Sequence, residues 1–360
     1  MKTMSTYFSF DIITIKIWEI IMDLSSLNSI AQSMVAPNKG ILAADESTPT
    51  IGKRFATINT ESNEKNRQTY RNMLFTAPNV SDYISGVILF DETIRQSTDD
   101  GIPFAEFLTS LGIVPGIKVD KGAKQLPMCK GELVTEGLDG LRERLAEYYE
   151  LGARFAKWRA VLSIADNKPS ETCIEVNAHA LARYSALCQE AKIVPIVEPE
   201  VLMDGNHTID RCYKVTAEVL DKVFSSLNEQ RVSLNGIILK PNMVISGADA
   251  KDRADINTVA SATVKCLTEH VPDEVPGIAF LSGGQTSEEA TAHLSAMNEH
   301  GPHPWQLSFS YGRALQAQPL KAWSGEESNI NAGQKAFIKR SRLNSLARTG
   351  NYSPQMEEAG

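Results

Sequence analysis

The sequence predicts an α/β fold, a single (β/α)8 TIM barrel, from three observations. Eight short apolar segments bounded by turn residues recur along the 360 residues, as expected of strands buried in a parallel sheet. Segments of helix length, with apolar residues three and four positions apart, lie between most of them. The intervals between successive strands leave room for a crossover helix each time, which is the pattern of a closed barrel.

The predicted strands follow one another through the whole chain. They cover residues 40–46, 84–92, 112–120, 155–164, 193–200, 236–242, 277–283 and 305–311. Between them, Val215, Val219 and Val223 share one helical face. Thr286 and Glu289 form the Thr-x-x-Glu pattern of a capping box, which predicts that a helix begins there.

A doubly wound open sheet is the competing fold. Such a sheet usually keeps a glycine-rich phosphate loop after its first strand, whereas Asp-Glu-Ser-Thr-Pro-Thr occupies positions 45–50 here. No linker, low-complexity tract or repeat divides the sequence. We therefore predict one barrel domain over residues 23–325, a C-terminal helix and tail over 326–360, and an N-terminal extension over 1–22.

The N-terminal extension is rich in isoleucine but interrupted by charges. Because Asp11, Lys16 and Glu19 break it, its apolar runs are shorter than the roughly 20 residues that a membrane-spanning helix needs. It has neither the cleavage pattern of a signal peptide nor the arginines of a transit peptide. We expect a dispensable leader, with Met22 as the true start; an amphipathic interaction helix is the alternative.

Composition narrows the classes of function. The chain is 42% hydrophobic and 22% charged, which excludes collagen-like, disordered and membrane-embedded proteins. Its formal net charge of -8 argues against nucleic acid as a main partner. The five cysteines form no CxxC pair, which favours a reducing compartment such as the cytoplasm. The six histidines lack the spacing of a metal site, so no catalytic metal is expected.

Polar residues occur at the carboxyl ends of the predicted strands, where barrels hold their active sites. They are Asp45, Glu46, Lys118, Asp120, Lys157, Arg159, Glu198, Glu200, Lys240, Asn242, Ser282, Ser310 and Arg313. The lysines within apolar strands are the most informative of these, because a lysine is almost never fully buried unless it is paired or functional.

Lys240, in Ile-Ile-Leu-Lys-Pro-Asn, is the candidate nucleophile. Burial disfavours the charged form of a lysine, and the free amine is the form that attacks a carbonyl. Schiff-base chemistry also needs acid and base groups: Glu198 could protonate a departing hydroxyl, and Asp45 could remove a substrate hydroxyl proton. The alternative is that these acids are only structural partners of a lysine or caps of the following helix.

Two glycine-containing turns predict an anion site. Ser282-Gly283-Gly284 follows the seventh strand and Tyr311-Gly312-Arg313 follows the eighth, where barrels commonly bind phosphate through backbone N–H groups and a helix N-terminus. A lone Ser-Gly-Gly would indicate only a turn. The predicted position of this turn beside Gly312 and Arg313 favours phosphate binding, because glycine permits close approach and the Arg313 guanidinium supplies a charged fork.

Seven segments together resemble class I fructose-1,6-bisphosphate aldolases, the metal-free Schiff-base type, in that family's order. They are GILAADES from Gly40, GIKVDKG from Gly116, FAKWR from Phe155, IVPIVEPE from Ile193, LKPNM from Leu239, FLSGGQ from Phe280 and FSYGRAL from Phe309. The resemblance spans residues 27–352 and implies reversible cleavage of fructose 1,6-bisphosphate to dihydroxyacetone phosphate and glyceraldehyde 3-phosphate. It also implies a homotetramer, a place in glycolysis and gluconeogenesis, and no cofactor.

The resemblance assigns a role to each matching residue. It implies that Lys240 forms the Schiff base, Glu198 is the acid/base of the carbinolamine steps, Asp45 acts on the C4 hydroxyl, and Lys157 supports the charges. The residues implied at the 1-phosphate are Ser282, Gly283, Gly312 and Arg313; those implied at the other phosphate or elsewhere on the substrate are Arg54, Arg67, Lys118 and Thr50.

The match to the family is incomplete at the C-terminus. Many members end in a tyrosine that assists proton exchange on the enamine, whereas this sequence ends Met-Glu-Glu-Ala-Gly and Tyr352 matches an earlier tyrosine.

Three alternatives to this function stay open: a Schiff-base aldolase of another ketose, such as sedoheptulose 1,7-bisphosphate or fructose 1-phosphate; a transaldolase; and a non-catalytic scaffold that binds phosphorylated partners.

Overall fold

Eight parallel strands close into a barrel in the computed structural model, which describes residues 24–358. The predicted (β/α)8 fold is therefore confirmed. The predicted N-terminal extension, residues 1–22, lies outside the described residues.

The strands alternate with helices along the chain. In chain order the strands are β1 (Gly40–Ala43), β2 (Ile84–Leu89), β3 (Val114–Lys118), β4 (Ala123–Gln125), β5 (Leu133–Thr135), β6 (Phe155–Leu162), β7 (Val194–Val201), β8 (Ile238–Leu239), β9 (Gly277–Phe280) and β10 (Gln306–Tyr311). The barrel runs β1-β10-β9-β8-β7-β6-β3-β2. The hairpin formed by β4 and β5 is antiparallel, lies outside the barrel, and was not predicted.

The helices surround the barrel or close the end at which its strands begin, here called the lower end. They are α1 (24–34, as far as described), α2 (Thr48–Ala56), α3 (Glu64–Phe75), α4 (Asp91–Ile94), α5 (Phe104–Ser110), α6 (Leu141–Glu150), α7 (Glu171–Glu190), α8 (Ile209–Glu229), α9 (Ile256–His270), α10 (Ser287–Glu299), α11 (Arg313–Trp323) and α12 (Ile330–Ala347). The predicted capping box is present at the start of α10, where Glu289 N donates to Thr286 Oγ1 at 3.0 Å and Thr286 N donates to Glu289 Oε2 at 2.9 Å. Within residues 24–358, no helix is long and apolar enough to cross a membrane.

Helix α1 covers the amino-terminal end of the barrel. Its buried Leu27, Ala31 and Met34 pack with apolar side chains in the lower half of the barrel interior. Those interior residues are Ile41, Ala43, Ile88, Phe155, Val194, Ile196, Ile238 and Ala279. A dry, close-packed lower half leaves the carboxyl ends of the strands as the place for polar chemistry.

The period-2 alternation of a strand explains how charged residues enter the same interior. On β7, Val194 and Ile196 fill the lower interior and Glu198 follows two positions later. On β8, Ile238 lies in the lower interior, and Lys240 follows at the upper end. The inward faces of β7 and β8 are thus apolar at the bottom and charged at the top.

Strand β8 is shorter than the sequence predicts. It covers two residues rather than 236–242 because a 3₁₀ turn, Leu234–Gly236, precedes it and Pro241 has no N–H to donate. Lys240 N nevertheless donates to Val197 O at 2.8 Å. This bond extends the contact with β7 by one residue and fixes the backbone of Lys240 beside Glu198.

Candidate active site

A cavity of about 620 Å³ opens at the carboxyl ends of the strands. All the residues to which the family resemblance assigns a role, except Arg67, line it. They are Asp45, Thr50, Arg54, Lys118, Lys157, Glu198, Lys240, Ser282, Gly283, Gly312 and Arg313. The barrel therefore brings together residues from seven of its eight strands or the segments that follow them, and from α2.

A chain of charges occupies the floor of the cavity. Lys240 Nζ lies 3.2 Å from Glu198 Oε1, Lys157 Nζ lies 3.4 Å from Glu198 Oε2, and Lys157 Nζ lies 2.7 Å from Asp45 Oδ2. None of these four side chains is more than 12% exposed. Two lysines and two acids therefore alternate within contact distance, in a setting where charge interactions are only weakly screened.

Asp45 and Lys157, the adjacent pair at one end of this row of charges, each hold the other in its charged form. Burial acts to raise the pKa of Asp45, but the charges of Lys157 and Lys240 outweigh it and hold that pKa well below its usual range. Burial acts to lower the pKa of Lys157, but the carboxylates of Asp45, Glu198 and Asp120 outweigh it and raise that pKa. Lys157 is therefore a fixed cation and Asp45 a fixed anion at neutral pH.

The turns after β9 and β10 meet at one side of the cavity. Gly283 adopts a left-handed conformation with φ +53°, and its carbonyl oxygen accepts a hydrogen bond from Arg313 Nη2 at 2.7 Å. Gly312 is the N-cap of α11, which begins at Arg313. The N–H groups of the first turn of α11 and the Arg313 guanidinium form an arrangement suited to an anion.

The cavity carries further cations, each held by a carboxylate. Lys118 Nζ donates to Asp120 Oδ1 at 2.7 Å, and Arg159 forms an ion pair with Glu200. Arg54 of α2 pairs with Glu46. An anionic substrate would have to compete with these carboxylates for the cations.

Arg67 lies away from the cavity lining. Its Nε donates to Glu92 Oε1 at 2.7 Å and its Nη1 to Ser62 O at 2.6 Å, so it links α3 to the residues after β2. Asn242, at the end of another predicted strand, also has a structural position, since its side chain contacts Val201 N and Thr216 Oγ1.

Lys53 and Gln316 are among the lining residues that were not predicted. Lys53 precedes Arg54 in the last turn of α2, so its only sequence signal was an adjacent pair of cations. Gln316 follows Arg313 by three positions on α11, which places both near one helix face. Among the described residues, no group of three or more histidine, cysteine or acidic side chains is placed to hold a metal ion.

Comparisons with known proteins show the family. The family model for class-I fructose-bisphosphate aldolase matches residues 26–360. A probable fructose-bisphosphate aldolase class 1 from Xanthomonas axonopodis pv. citri is 58% identical over 332 residues, which are 92% of this chain and 99% of that protein. Fructose-bisphosphate aldolase 4, cytosolic, from Arabidopsis thaliana is 53% identical over 317 residues, 88% of this chain and 81% of that protein.

The solved structures give the same answer for the fold. Fructose-bisphosphate aldolase from Plasmodium falciparum, in a ternary co-crystal with TRAP and a small-molecule inhibitor, superposes with a TM-score of 0.91 and 47% identity. The match covers 92% of this chain and 96% of that one. With a family match over nearly the whole sequence and relatives above 50% identity, the chain belongs to the class I fructose-bisphosphate aldolases, which are lyases.

Proposed function

We propose that the protein cleaves fructose 1,6-bisphosphate reversibly through a Schiff base on Lys240. One observation carries the choice of lysine: Asp45 holds Lys157 as a cation at 2.7 Å, whereas Lys240 contacts Glu198 at 3.2 Å. The carboxylates of Asp45, Glu198 and Asp120 raise the pKa of Lys157 and keep it charged, which favours Lys240 as the nucleophile.

The contacts support a sequence of balanced steps. The Lys240 amine adds to the C2 carbonyl, and Glu198 protonates the departing hydroxyl, so that water leaves and an iminium forms. Asp45 takes the C4 hydroxyl proton as C4 becomes an aldehyde, the C3–C4 electron pair forms a C2=C3 double bond, and the C=N π pair moves to the iminium nitrogen. Glyceraldehyde 3-phosphate is released and an enamine stays on Lys240. Protonation at C3 and hydrolysis then release dihydroxyacetone phosphate.

The cations around the cavity support the choice of a doubly phosphorylated substrate. We assign one phosphate to Ser282, Gly283, Gly312 and Arg313, at the start of α11. We assign the other phosphate, or the sugar chain, to Thr50, Arg54 and Lys118. Arg67 is 9% exposed and paired with Glu92, so its contribution is to the position of α3 rather than to direct substrate contact.

Borohydride trapping tests the nucleophile. Reduction in the presence of dihydroxyacetone phosphate should attach the triose to Lys240, as mapped by peptide mass spectrometry. Lys240→Met should abolish the adduct, while Lys157→Met, the same change at the neighbouring buried lysine, should keep it. An adduct on another lysine, or none, would refute the proposal. Activity should persist in EDTA.

Substrate comparison tests the ketose. The kcat/KM for fructose 1,6-bisphosphate should exceed the values for fructose 1-phosphate and for sedoheptulose 1,7-bisphosphate, because the first substrate presents two phosphates at the spacing of a six-carbon chain. A higher value for either of the others would move the assignment to an aldolase of that ketose.

The proposal extends to assembly, compartment and domain limits. We propose a homotetramer, for which light scattering should return four times the 39.5 kDa chain mass. We also propose a role in glycolysis and gluconeogenesis in the cytoplasm; the word cytosolic in the name of the Arabidopsis relative supports that compartment. We also propose a catalytic barrel over 23–325 with the tail 326–360; the family model begins at residue 26, which supports the start of the barrel near residue 23. A variant that starts at Met22 should keep the full kcat.

A further inference from the structure

Glu46 lies behind Arg54 and binds more than one cation. One Glu46 oxygen pairs with Arg54 and also accepts from Gln316 Nε2 at 2.7 Å. The other accepts from Arg71 Nη2 at 3.0 Å. The Glu46 side chain is 4% exposed, so this carboxylate depends on protein groups, not on water, to balance its charge.

The two arginines that share Glu46 have different surroundings. Arg54 lines the cavity, and its side chain is 24% exposed. The Arg71 side chain is 2% exposed and also donates from Nε to Ala44 O at 3.1 Å and from Nη2 to Glu46 O at 3.3 Å. Arg54 can therefore be reached by a substrate, whereas Arg71 is held in the wall behind the cavity.

Gln316 fixes the same carboxylate from the other side. Its Nε2 donates to Ala43 O at 2.7 Å as well as to Glu46, and its Oε1 accepts from Tyr70 OH at 3.1 Å. Tyr70 and Arg71 are neighbours on α3, and Gln316 belongs to α11. The position of Glu46 is thus set by buried groups that do not depend on Arg54.

This arrangement bears on how Arg54 can leave Glu46. A phosphate that enters the cavity competes with Glu46 for the Arg54 guanidinium. If Arg54 were the sole cation on Glu46, its departure would leave a buried carboxylate uncompensated, and binding would be opposed. With Arg71 still in contact, the carboxylate keeps a counterion when Arg54 turns toward the substrate.

We propose that Arg71 is a positioning residue, a fixed counterion of Glu46 that allows Arg54 to exchange between Glu46 and a substrate phosphate. This inference rests on the proposed function, in which Arg54 contacts the phosphorylated substrate. Arg71 acts through Glu46 and Arg54 and touches no reacting atom. Its contribution is therefore to substrate affinity and not to the bond-breaking step.

Kinetics of paired variants test this role. Arg71→Met should raise KM for fructose 1,6-bisphosphate by about tenfold, with kcat changed by less than about threefold, because Glu46 then retains Arg54. Glu46→Gln added to Arg71→Met should bring KM back toward its starting value, because the neutral amide needs no counterion. In an Arg54→Ala background, Arg71→Met should change kcat/KM by less than about twofold.

The same variants separate this role from a purely structural one. If Arg71 only stabilised the fold, Glu46→Gln would not rescue KM, and the effect of Arg71→Met would persist without Arg54; either result overturns the proposal. Circular dichroism and thermal unfolding check that each variant is folded. If Arg71→Met alone does not fold, Arg71→Met with Glu46→Gln and the conservative Arg71→Lys carry the test, and KM raised about tenfold in both would overturn it.

Failure of the proposed function would be visible separately. If the unmodified protein cleaves no ketose bisphosphate, the proposed function fails, and inorganic phosphate binding measured by calorimetry tests Arg71 instead. Arg71→Met should then weaken phosphate binding by about tenfold, and Glu46→Gln should restore it. Equal phosphate affinity in the unmodified protein and in Arg71→Met would overturn the inference.

Discussion

Asp45 Oδ2 and Lys157 Nζ lie 2.7 Å apart at the floor of the barrel cavity. Asp45 follows β1 and Lys157 belongs to β6, so the pair joins two non-adjacent strands across the barrel interior. Each residue holds the other in its charged form, and Lys157 also contacts Glu198. This relationship determines how the site should respond to pH.

Lys157→Met should move the acid limb of the pH profile. Burial raises the pKa of Asp45, and Lys157 is the leading cause that lowers it. Without that cation the carboxylate takes up a proton at higher pH, so kcat/KM should begin to fall at a higher pH than in the unmodified protein. A pH–rate profile measures the shift. Lys118→Met is the control, because Lys118 lowers the pKa of Asp45 less than Lys157 does. An acid limb at the same pH in Lys157→Met and in the unmodified protein would contradict the prediction.

Arg313→Ala should weaken substrate binding. The Arg313 guanidinium contacts Gly283 O at 2.7 Å and stands at the start of α11, where a charge-assisted bond to phosphate is expected. Steady-state kinetics should show KM for fructose 1,6-bisphosphate raised by at least about tenfold. The KM of Arg313→Lys should lie between those of the unmodified protein and Arg313→Ala, since an ammonium group keeps the charge but lacks the planar fork of a guanidinium. Equal KM values for all three proteins would show that Arg313 does not bind substrate.

Arg348→Met should reduce stability without changing catalysis. Arg348 is buried, burial lowers its pKa to about 10, and its guanidinium links the end of α1 to β10 from outside the cavity. Its acceptors are Val35 O, Ala36 O, Lys39 O, Gln306 Oε1 and Ser308 Oγ. Loss of these bonds leaves buried carbonyl groups unsatisfied, at a cost of about 3 kcal/mol.

Urea unfolding and steady-state kinetics measure the two effects of Arg348→Met separately. Arg342→Met, the same change at an exposed position of α12, should alter the free energy of unfolding by less than about 0.5 kcal/mol. Comparable losses for the two variants would mean that the carbonyl contacts of Arg348 contribute little.

Thr286→Ala should destabilise the start of α10. Thr286 Oγ1 accepts from Glu289 N at 3.0 Å, and removal of an N-cap hydroxyl typically costs about 1 kcal/mol. Thermal or urea unfolding measures the loss. Thr286→Ser keeps the acceptor and should stay within about 0.3 kcal/mol of the unmodified protein, and an equal loss in both variants would locate the effect outside the cap.

Much of the fold and most of the candidate site could be predicted because the relevant patterns are local. The alternation on β7 predicts that Glu198 faces the same side as Val194 and Ile196. The β4–β5 hairpin could not be predicted in the same way, because its strands of three residues each are too short to show an alternating pattern. Lys53 and Gln316 were missed because their helices place them in the cavity only after α2 and α11 dock on the barrel.

The closed barrel, and the end of it that carries the chemistry, can be inferred from the sequence, since strand periodicity and strand-end residues depend on neighbours along the chain. Which charges meet depends on the tertiary structure. Lys157 could pair with any nearby acid, and its contact with Asp45 follows from the closure of β1 and β6 around one interior. The sharing of Glu46 by Arg54 and Arg71 likewise depends on α2 and α3 packing beside β1. Coulomb interactions depend on distance in space, and distance between elements far apart in sequence is set only when the barrel closes.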